Sequence, residues 1–252
     1  MFREYMHVER FGNDEVLGIE LGRVYIFPKL DGTNASLWRE DAGLLGAGSR
    51  TRMLSESSDN AGFFRENVGL QQHHNFFFGN PNLRLYGEWL VPHSFKGYRD
   101  NAWRKFYVFD VYNDETGQYL PYDVYQPILE NYGIEYIPPL AVIKNGDYEM
   151  FMKYLEQNTY LIPDGGPPGE GICIKNYDYY NKFGRQCFAK IIRNEFKEMH
   201  SKAMGAPEGT GKMNEELIVD RTCSLALVDK TISKILLDVE NERGNPLGPE
   251  VG

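Results

Sequence analysis

The chain has 252 residues, of which 42% are hydrophobic and 25% are charged, a balance typical of a globular protein with a large core. The formal net charge of −9, taken alone, argues against a nucleic-acid partner. No apolar run approaches the roughly 18 residues of a membrane helix, and no signal peptide is recognisable, so we expect a cytoplasmic protein without a membrane partner. Three cysteines without metal-binding spacing agree with a reducing compartment.

The basic residues are concentrated in one part of the chain. Between Gly171 and Lys202 there are seven basic residues against three acidic ones. A local basic face on an acidic protein suits a phosphate ligand held at one site. The same run would also arise from an ordinary solvated surface helix.

Short strands dominate the first 190 residues, where aromatic and β-branched residues cluster between turn residues. The predicted strands are residues 24–28, 83–91, 106–112, 171–175 and 187–192. The run from Lys105 to Tyr112 has few polar positions, so we predict a central strand that is buried on both faces.

Helical spacing of apolar residues predicts helices at 122–132 and 147–157, with Gly133 as the C-cap of the first. His73 and His74 are assigned to a loop before the phenylalanine run 76–78.

The C-terminal part of the chain is predicted to contain helices and a linker instead of strands. A helix is predicted at 194–203, a linker at 204–213 and an amphipathic helix within 225–239. We therefore predict a main domain of residues 1–203, the linker, and a helical segment of residues 214–252 that is an incomplete domain if the chain stops inside it.

Residues 27–34 read Phe-Pro-Lys-Leu-Asp-Gly-Thr-Asn and contain a candidate nucleophile. A lysine amine is protonated at neutral pH, so Lys29 is expected in a pocket that lowers its pKa. Gly32 would let the backbone approach a ligand closely, and Asp31 and Asn34 would hold a ribose or the turn itself. Taken alone, Lys-x-Asp-Gly is more typical of a strand that runs into an ordinary turn.

Five further segments follow in order. They are Gly-Ser-Arg-Thr-Arg at 48–52, Tyr-Gly-Glu-Trp-Leu at 86–90, Tyr-Val-Phe-Asp at 107–110, Glu-Gly-Ile-Cys-Ile-Lys at 170–175 and Phe-Ala-Lys-Ile-Ile-Arg at 188–193. Together with the Lys29 segment, this series resembles the ATP-dependent RNA ligases of the covalent nucleotidyltransferase superfamily, in particular the bacteriophage RNA ligase 2 type. The resemblance covers about residues 20 to 200.

The resemblance implies an α+β nucleotidyltransferase fold, the ATP-grasp-like DNA/RNA ligase adenylation fold. In it two antiparallel-rich sheets flank an ATP cleft and a small helical element follows at the C-terminus. It also implies an enzyme that joins RNA 3′-hydroxyl and 5′-phosphate ends through a lysyl-AMP intermediate and an RNA-adenylate. ATP and Mg²⁺ or Mn²⁺ are the implied cofactors, and RNA ends or a nicked RNA duplex are the implied partners. No obligatory protein partner is expected.

The resemblance also implies residue roles around the nucleotide. Lys29 would form the phosphoramide bond with AMP. Arg50 would contact the nucleotide phosphate or the RNA 3′ end, Glu88 the ribose hydroxyls and Phe109 the adenine ring. The remaining nucleotide-site residues next to the lysine are Leu30, Asp31 and Asn34.

Charged residues of the later segments would complete the chemistry. Asp110 and Glu170 are the implied metal-placing residues, and Lys175 and Lys190 the implied phosphate contacts. Lys29, Glu170 and Lys190 form the predicted catalytic set. Phosphoryl transfer needs an in-line nucleophile, a divalent cation and positive charge on the leaving group, and these residue types supply them.

The last segment departs from the family pattern, which ordinarily has two basic residues two positions apart. The second position is Ile192 here. Either Arg193 or Lys197 supplies the charge, or one lysine is sufficient.

Several alternatives remain at this point. DNA ligases and mRNA-capping guanylyltransferases share Lys-x-Asp-Gly, although the Gly-Thr-Asn continuation favours RNA ligase. A nucleic-acid-binding module with a decayed pocket, or an interaction protein with an aromatic surface, would be non-enzymatic. For single residues, Phe109 could belong to the core, Asp110 could be a satisfied carboxylate at a strand end, and Glu88 could lie on a strand edge.

Overall fold

Two five-stranded sheets form the framework of the protein. The computed structural model describes residues 1–193. In chain order the strands are β1 (Glu9–Arg10), β2 (Arg23–Lys29), β3 (Thr33–Arg39), β4 (Leu45–Gly48), β5 (Leu83–Trp89), β6 (Phe106–Asn113), β7 (Gln118–Tyr119), β8 (Ala141–Lys144), β9 (Gly171–Lys175) and β10 (Ala189–Ile192). The α-helices of these residues are α1 (Phe63–Asn67), α2 (Gln71–Gly79), α3 (Tyr122–Asn131) and α4 (Tyr148–Glu156).

The first sheet has the strand order β1-β10-β9-β2-β8, and the second has the order β4-β3-β5-β6-β7. All pairs are antiparallel except β1 with β10, which are parallel. Consecutive strands β2 and β3 belong to different sheets, so the short turn between them crosses from one sheet to the other.

Alternation along β2 explains why this strand is buried on both faces. Tyr25 and Phe27 pack into a large aromatic-rich core that also contains the strands of the second sheet. Val24 and Ile26 point the other way, into a smaller core that includes Phe151 of α4. Because side chains alternate across a strand, the two cores lie on opposite faces of the first sheet. Each fully buried large apolar side chain contributes about 1.5–3 kcal/mol to this packing.

The five predicted strands are all found in the structure and correspond to β2, β5, β6, β9 and β10. In β6, every residue from Phe106 to Tyr112 is buried except Phe109, which is partly exposed. The predicted helices correspond to α3 and α4. The Asp147 carboxylate caps α4 by accepting a hydrogen bond from the Met150 amide at 2.8 Å.

The loop assignment of His73 and His74 is wrong, because both lie in α2. His73 is buried, and its Nδ1 lies 2.9 Å from the Asn67 carbonyl oxygen. Phe76 and Phe77 are buried on the same helix and supply its inward face, whereas Phe78, the third residue of the run, is exposed. Strands β1, β3, β4, β7 and β8 are not among the predicted elements.

The predictions for the helix at 194–203, the linker at 204–213 and the segment 214–252 lie outside the described residues. None of the helices within residues 1–193 has both the length and the apolar character needed to cross a membrane.

Candidate active site

Lys29 is the last residue of β2 and lies directly opposite Gly171, the first residue of β9. This register brings its amine to the carboxylate of Glu170, and Nζ lies 2.5 Å from Oε2. The two side chains are 27% and 9% exposed, so the pair is largely screened from water but the lysine is still accessible. The sequence places these residues 141 positions apart, and the β2–β9 pairing alone makes them neighbours.

The second sheet contributes Glu88 and Asn34, which face each other across β5 and β3. Glu88 Oε1 accepts a hydrogen bond from the Gly32 amide at 2.8 Å, which ties it to the turn after Lys29. Asn34 Oδ1 is buried and has no hydrogen-bond partner among residues 1–193. An unpaired buried acceptor costs free energy, so this oxygen suits a ligand donor or a cation.

The expectation of a lowered pKa for Lys29 is wrong for the ligand-free protein. Burial does lower the pKa of the Lys29 amine, but the nearby carboxylates of Glu170 and Glu88 outweigh it and raise the pKa above its ordinary value. Burial conversely raises the pKa of Glu88 to about 8, and the neighbouring charge of Glu170 adds to this rise. The two carboxylates therefore favour the charged form of the Lys29 amine.

Lys190 and Arg50 bring positive charge to the same region. Burial and the charge of Lys29 lower the pKa of Lys190, and Arg50 and Arg10 act in the same direction. Lys190 lies opposite Cys173 in the β9–β10 pair. Arg50 is exposed, and its Nη2 is 3.5 Å from His7 Nδ1. Acidic side chains (Glu88 and Glu170) and basic side chains (Lys190 and Arg50) thus lie in the same region as the Lys29 amine.

Asp31 organises the turn that follows Lys29. One carboxylate oxygen lies 2.9 Å from His93 Nδ1, and the other accepts a hydrogen bond from the Phe95 amide at 2.6 Å. The Asp31 amide donates to the Tyr98 hydroxyl at 2.8 Å. The residue is only 6% exposed and both carboxylate oxygens are engaged, which favours the role in the turn, and the nucleotide contact of Asp31 stays a prediction. Leu30 is 3% exposed and packs in the large core, so only its backbone is available to a nucleotide.

Gly32 is required by the protein backbone rather than by a ligand. A Cβ at this position would lie 2.5 Å from the Trp89 carbonyl oxygen and 3.1 Å from Leu90 Cα, and backbone cannot move aside cheaply.

We expect Gly32→Ala to lower the free energy of unfolding by about 1–3 kcal/mol and to reduce covalent AMP transfer, because it displaces the turn beside Lys29. Denaturant unfolding and an AMP-transfer assay measure both effects. Gly69→Ala is the matched control, since a Cβ there meets no atom within 4 Å. Equal stability of the two variants would contradict the close approach.

Lys175 and Asp110 pair with each other inside the protein. Lys175 Nζ lies 2.8 Å from Asp110 Oδ1 and donates to the Phe109 carbonyl at 2.7 Å, and the two side chains are 3% and 0% exposed. The Tyr5 hydroxyl donates to Asp110 Oδ2 at 2.5 Å. Nζ also lies 4.6 Å from the ring centroid of Phe27. Both charged groups are thus buried against each other, and the phosphate contact of Lys175 and the metal role of Asp110 stay predictions.

Phe109 remains partly buried beside this pair, with its ring centroid 4.9 Å from that of Tyr5. It is the one residue of the buried stretch Phe106–Tyr112 with appreciable exposure, so stacking on a base stays a prediction.

Sequence reasoning missed Tyr5, His93 and Tyr98. Tyr5 lies 105 positions from its partner Asp110, and nothing near the N-terminus signals that contact. The Pro-His-Ser-Phe segment at 92–95 had no recognisable spacing, although it anchors the turn that follows Lys29.

The side chains near Lys29 that could hold a divalent cation offer only oxygen ligands. Among the described residues no group of three or more His, Cys, Asp or Glu side chains has metal-binding geometry. Magnesium commonly uses one or two carboxylates together with substrate phosphates and water. Glu88, Glu170 and the unpaired Asn34 oxygen form an oxygen-only set of that kind.

The family model described as RNA ligase matches residues 22–192. The chain belongs to the RNA ligase family. The match includes all six segments from which the resemblance was inferred except the final residue, Arg193, and it runs from the residue before β2 to the end of β10.

Solved RNA ligases have the same fold. Naegleria gruberi RNA ligase with PPi superposes with a TM-score of 0.61 at 23% identity, covering 80% of this chain and 58% of that one. A mutant of the same ligase with AMP and Mn gives 0.58 at 21% identity, covering 77% and 56%. An archaeal ATP-dependent RNA ligase gives 0.59 at 18% identity, covering 78% and 50%. No curated protein sequence gives a significant match.

The predicted α+β nucleotidyltransferase fold with two antiparallel-rich sheets is confirmed by the two sheets and by these relatives. The chain spans 50% to 58% of the length of the three solved ligases, so it corresponds to little more than half of each.

Proposed function

We propose that this member of the RNA ligase family is an ATP-dependent RNA ligase that joins 3′-hydroxyl and 5′-phosphate ends. The observation that carries the proposal is the 2.5 Å contact of Lys29 Nζ with Glu170 Oε2 at the mouth of a site that Glu88, Lys190 and Arg50 also face. A lysine of this family segment, accessible and coupled to a buried carboxylate, is suited to covalent catalysis.

In the proposed first step, the neutral Lys29 amine attacks the α-phosphorus of ATP, forming a nitrogen–phosphorus bond and releasing pyrophosphate. Glu170 is placed to take the amine proton, since its carboxylate is already hydrogen-bonded to Nζ and burial raises its pKa. Lys190 and Arg50 would neutralise charge on the phosphates.

In the second step an RNA 5′-phosphate oxygen displaces Lys29 from AMP, which gives the RNA-adenylate. In the third step an RNA 3′-hydroxyl attacks the activated 5′-phosphate and AMP leaves. Glu88 would hold the ribose hydroxyls, because its raised pKa leaves it able to donate as well as accept a hydrogen bond near pH 8.

A bound Mg²⁺ or Mn²⁺ would neutralise phosphate charge and compete with Lys29 for the carboxylates. Glu88, Glu170 and Asn34 would hold it, as their oxygen-only character suggests. Relatives solved with ATP or AMP and Mn support a nucleotide and a divalent cation as cofactors.

Two rival functions carry less support. A DNA ligase or capping guanylyltransferase would share the lysine chemistry, but the family match is to RNA ligases. A decayed binding module would not need an accessible lysine coupled to Glu170. We further propose a cytoplasmic RNA-repair enzyme of the bacteriophage type that acts on RNA ends or nicked duplexes without an obligatory protein partner.

The proposal is tested by incubating the full chain with labelled ATP or GTP and a divalent cation, and then with nicked RNA or nicked DNA duplexes. Label transfer from ATP alone, followed by sealing of the RNA nick, is the expected result. Transfer from GTP, or sealing of DNA in preference to RNA, would move the chain to one of the rival functions.

A further inference from the structure

We infer that residues 180–185, the loop that joins β9 to β10, bind the RNA strand at a distance from the reacting ends. The inference rests on the proposed function, because it assumes that RNA is the substrate. The loop reads Tyr-Asn-Lys-Phe-Gly-Arg, and no role in the AMP-transfer site falls to any of its residues.

Aromatic rings and cations are exposed together on this loop. Tyr180 is 44% exposed and Phe183 is 57% exposed. Lys182 Nζ lies 5.3 Å from the Phe183 ring centroid, and Arg185 Cζ lies 5.8 Å from it. Within residues 1–193, neither cation forms an ion pair with an acidic side chain. Rings for base stacking beside cations for phosphates are the means by which proteins hold a nucleic-acid strand without reading its sequence.

The loop is held in one conformation by Asn181, which is 6% exposed. Its side-chain oxygen accepts hydrogen bonds from the amides of Phe183 at 2.9 Å and Arg185 at 3.1 Å. Its side-chain nitrogen donates to Glu15 Oε2 at 2.9 Å, which engages this carboxylate with the buried anchor of the loop. A binding surface that is ordered in advance loses little conformational entropy on association.

Charge and position favour RNA as the occupant. The two cations stand out on a chain with a net charge of −9, which would repel a polyanion elsewhere. Strand β9 runs from Gly171, opposite Lys29, to Lys175, and then the chain enters the loop region. At about 3.3 Å per residue, β9 extends roughly 13 Å from Gly171 to Lys175, and residues 180–185 follow farther along the chain. The loop would therefore contact the body of the RNA and leave the AMP-transfer step alone.

The test compares Phe183→Ala with the matched control Phe78→Ala, which removes a ring that is 85% exposed on α2. Binding of the full chain to a labelled nicked RNA duplex is measured by fluorescence anisotropy, alongside covalent AMP transfer and the KM for RNA in sealing. We expect about tenfold weaker RNA binding and a higher KM for Phe183→Ala only, with AMP transfer unchanged.

A second variant, Lys182→Ala with Arg185→Ala, tests the cations separately. The slope of log affinity against log salt should become shallower by about two, since two phosphate contacts are lost.

The outcomes separate this inference from the proposed function. If both variants bind RNA as tightly as the wild type, the inference is wrong even if the wild type seals nicks. Binding of a protein partner would then be the explanation for the exposed loop. If the wild-type chain transfers no AMP but the loop variants bind RNA more weakly than it does, the inference is supported and the proposed function is wrong. A wild type that transfers AMP but shows no RNA binding overturns the inference.

Discussion

Replacing Lys29 with alanine is expected to abolish covalent AMP transfer, with a loss of at least about 10⁴-fold, because it removes the amine that lies 2.5 Å from Glu170 Oε2 and would attack the α-phosphorus. Sealing that starts from ATP should disappear with it. Sealing of a 5′-adenylylated RNA should survive, since the lysine is not the nucleophile in that step. Gel assays with labelled ATP and with pre-adenylylated RNA measure the two reactions side by side.

Lys29→Arg provides the control for charge. The guanidinium can still pair with Glu170, but it stays protonated and cannot act as a nucleophile at neutral pH. This variant should therefore fold normally and also fail to accept AMP. If either variant still accepted AMP, Lys29 would not be the acceptor. If either variant failed to seal pre-adenylylated RNA, the substitution would also have impaired a step after AMP transfer to the lysine.

Lys175→Met is expected to lower the free energy of unfolding by about 3–5 kcal/mol, because it leaves Asp110 buried without its cation. Methionine fills a similar volume among the surrounding rings, so the loss would come mainly from charge. The deficit should shrink as pH falls, since burial already raises the pKa of Asp110 and the unpaired carboxyl then takes up a proton. Urea unfolding at several pH values measures it.

The matched control for this prediction is Lys144→Met. Lys144 also ends a strand paired with β2, but it is exposed, so its replacement should change the free energy of unfolding by less than about 0.5 kcal/mol. Asp110→Asn combined with Lys175→Met should recover much of the lost stability, because no buried charge remains. If Lys175→Met were as stable as the wild type but defective in its reaction with ATP, the result would contradict the predicted loss of stability. It would instead support the phosphate contact that the sequence resemblance implies for Lys175.

The strands that carry the site could be predicted because their composition differs from that of the surrounding turns. The prediction of a strand at Gly171–Lys175 matches β9 at both ends, and the helix that ends before Gly133 matches α3. Both patterns are local, so neighbouring residues are enough to reveal them.

Other features depended on contacts between distant segments. The sequence leaves Asp31 either to a ribose or to the turn, because its partners His93 and Phe95 lie more than 60 residues away and an aspartate looks the same in sequence whether it binds a loop or a ligand. Lys175 and Asp110 were assigned separately to phosphate and metal. Their mutual pairing follows from the approach of β9 and β6, which belong to different sheets.

The raised pKa of Lys29 has the same origin. The sequence indicates a lysine that must lose its proton, and burial does favour the neutral form, but two carboxylates from separate sheets reverse the direction.

The most direct test of the account is to locate the covalent AMP. The full chain is incubated with ATP and Mg²⁺, digested, and its peptides are analysed by mass spectrometry. The account predicts AMP on the peptide that contains Lys29, attached to that side chain and absent when ATP is omitted. AMP on Lys190 or on another residue, or none on a protein that seals RNA, would contradict it.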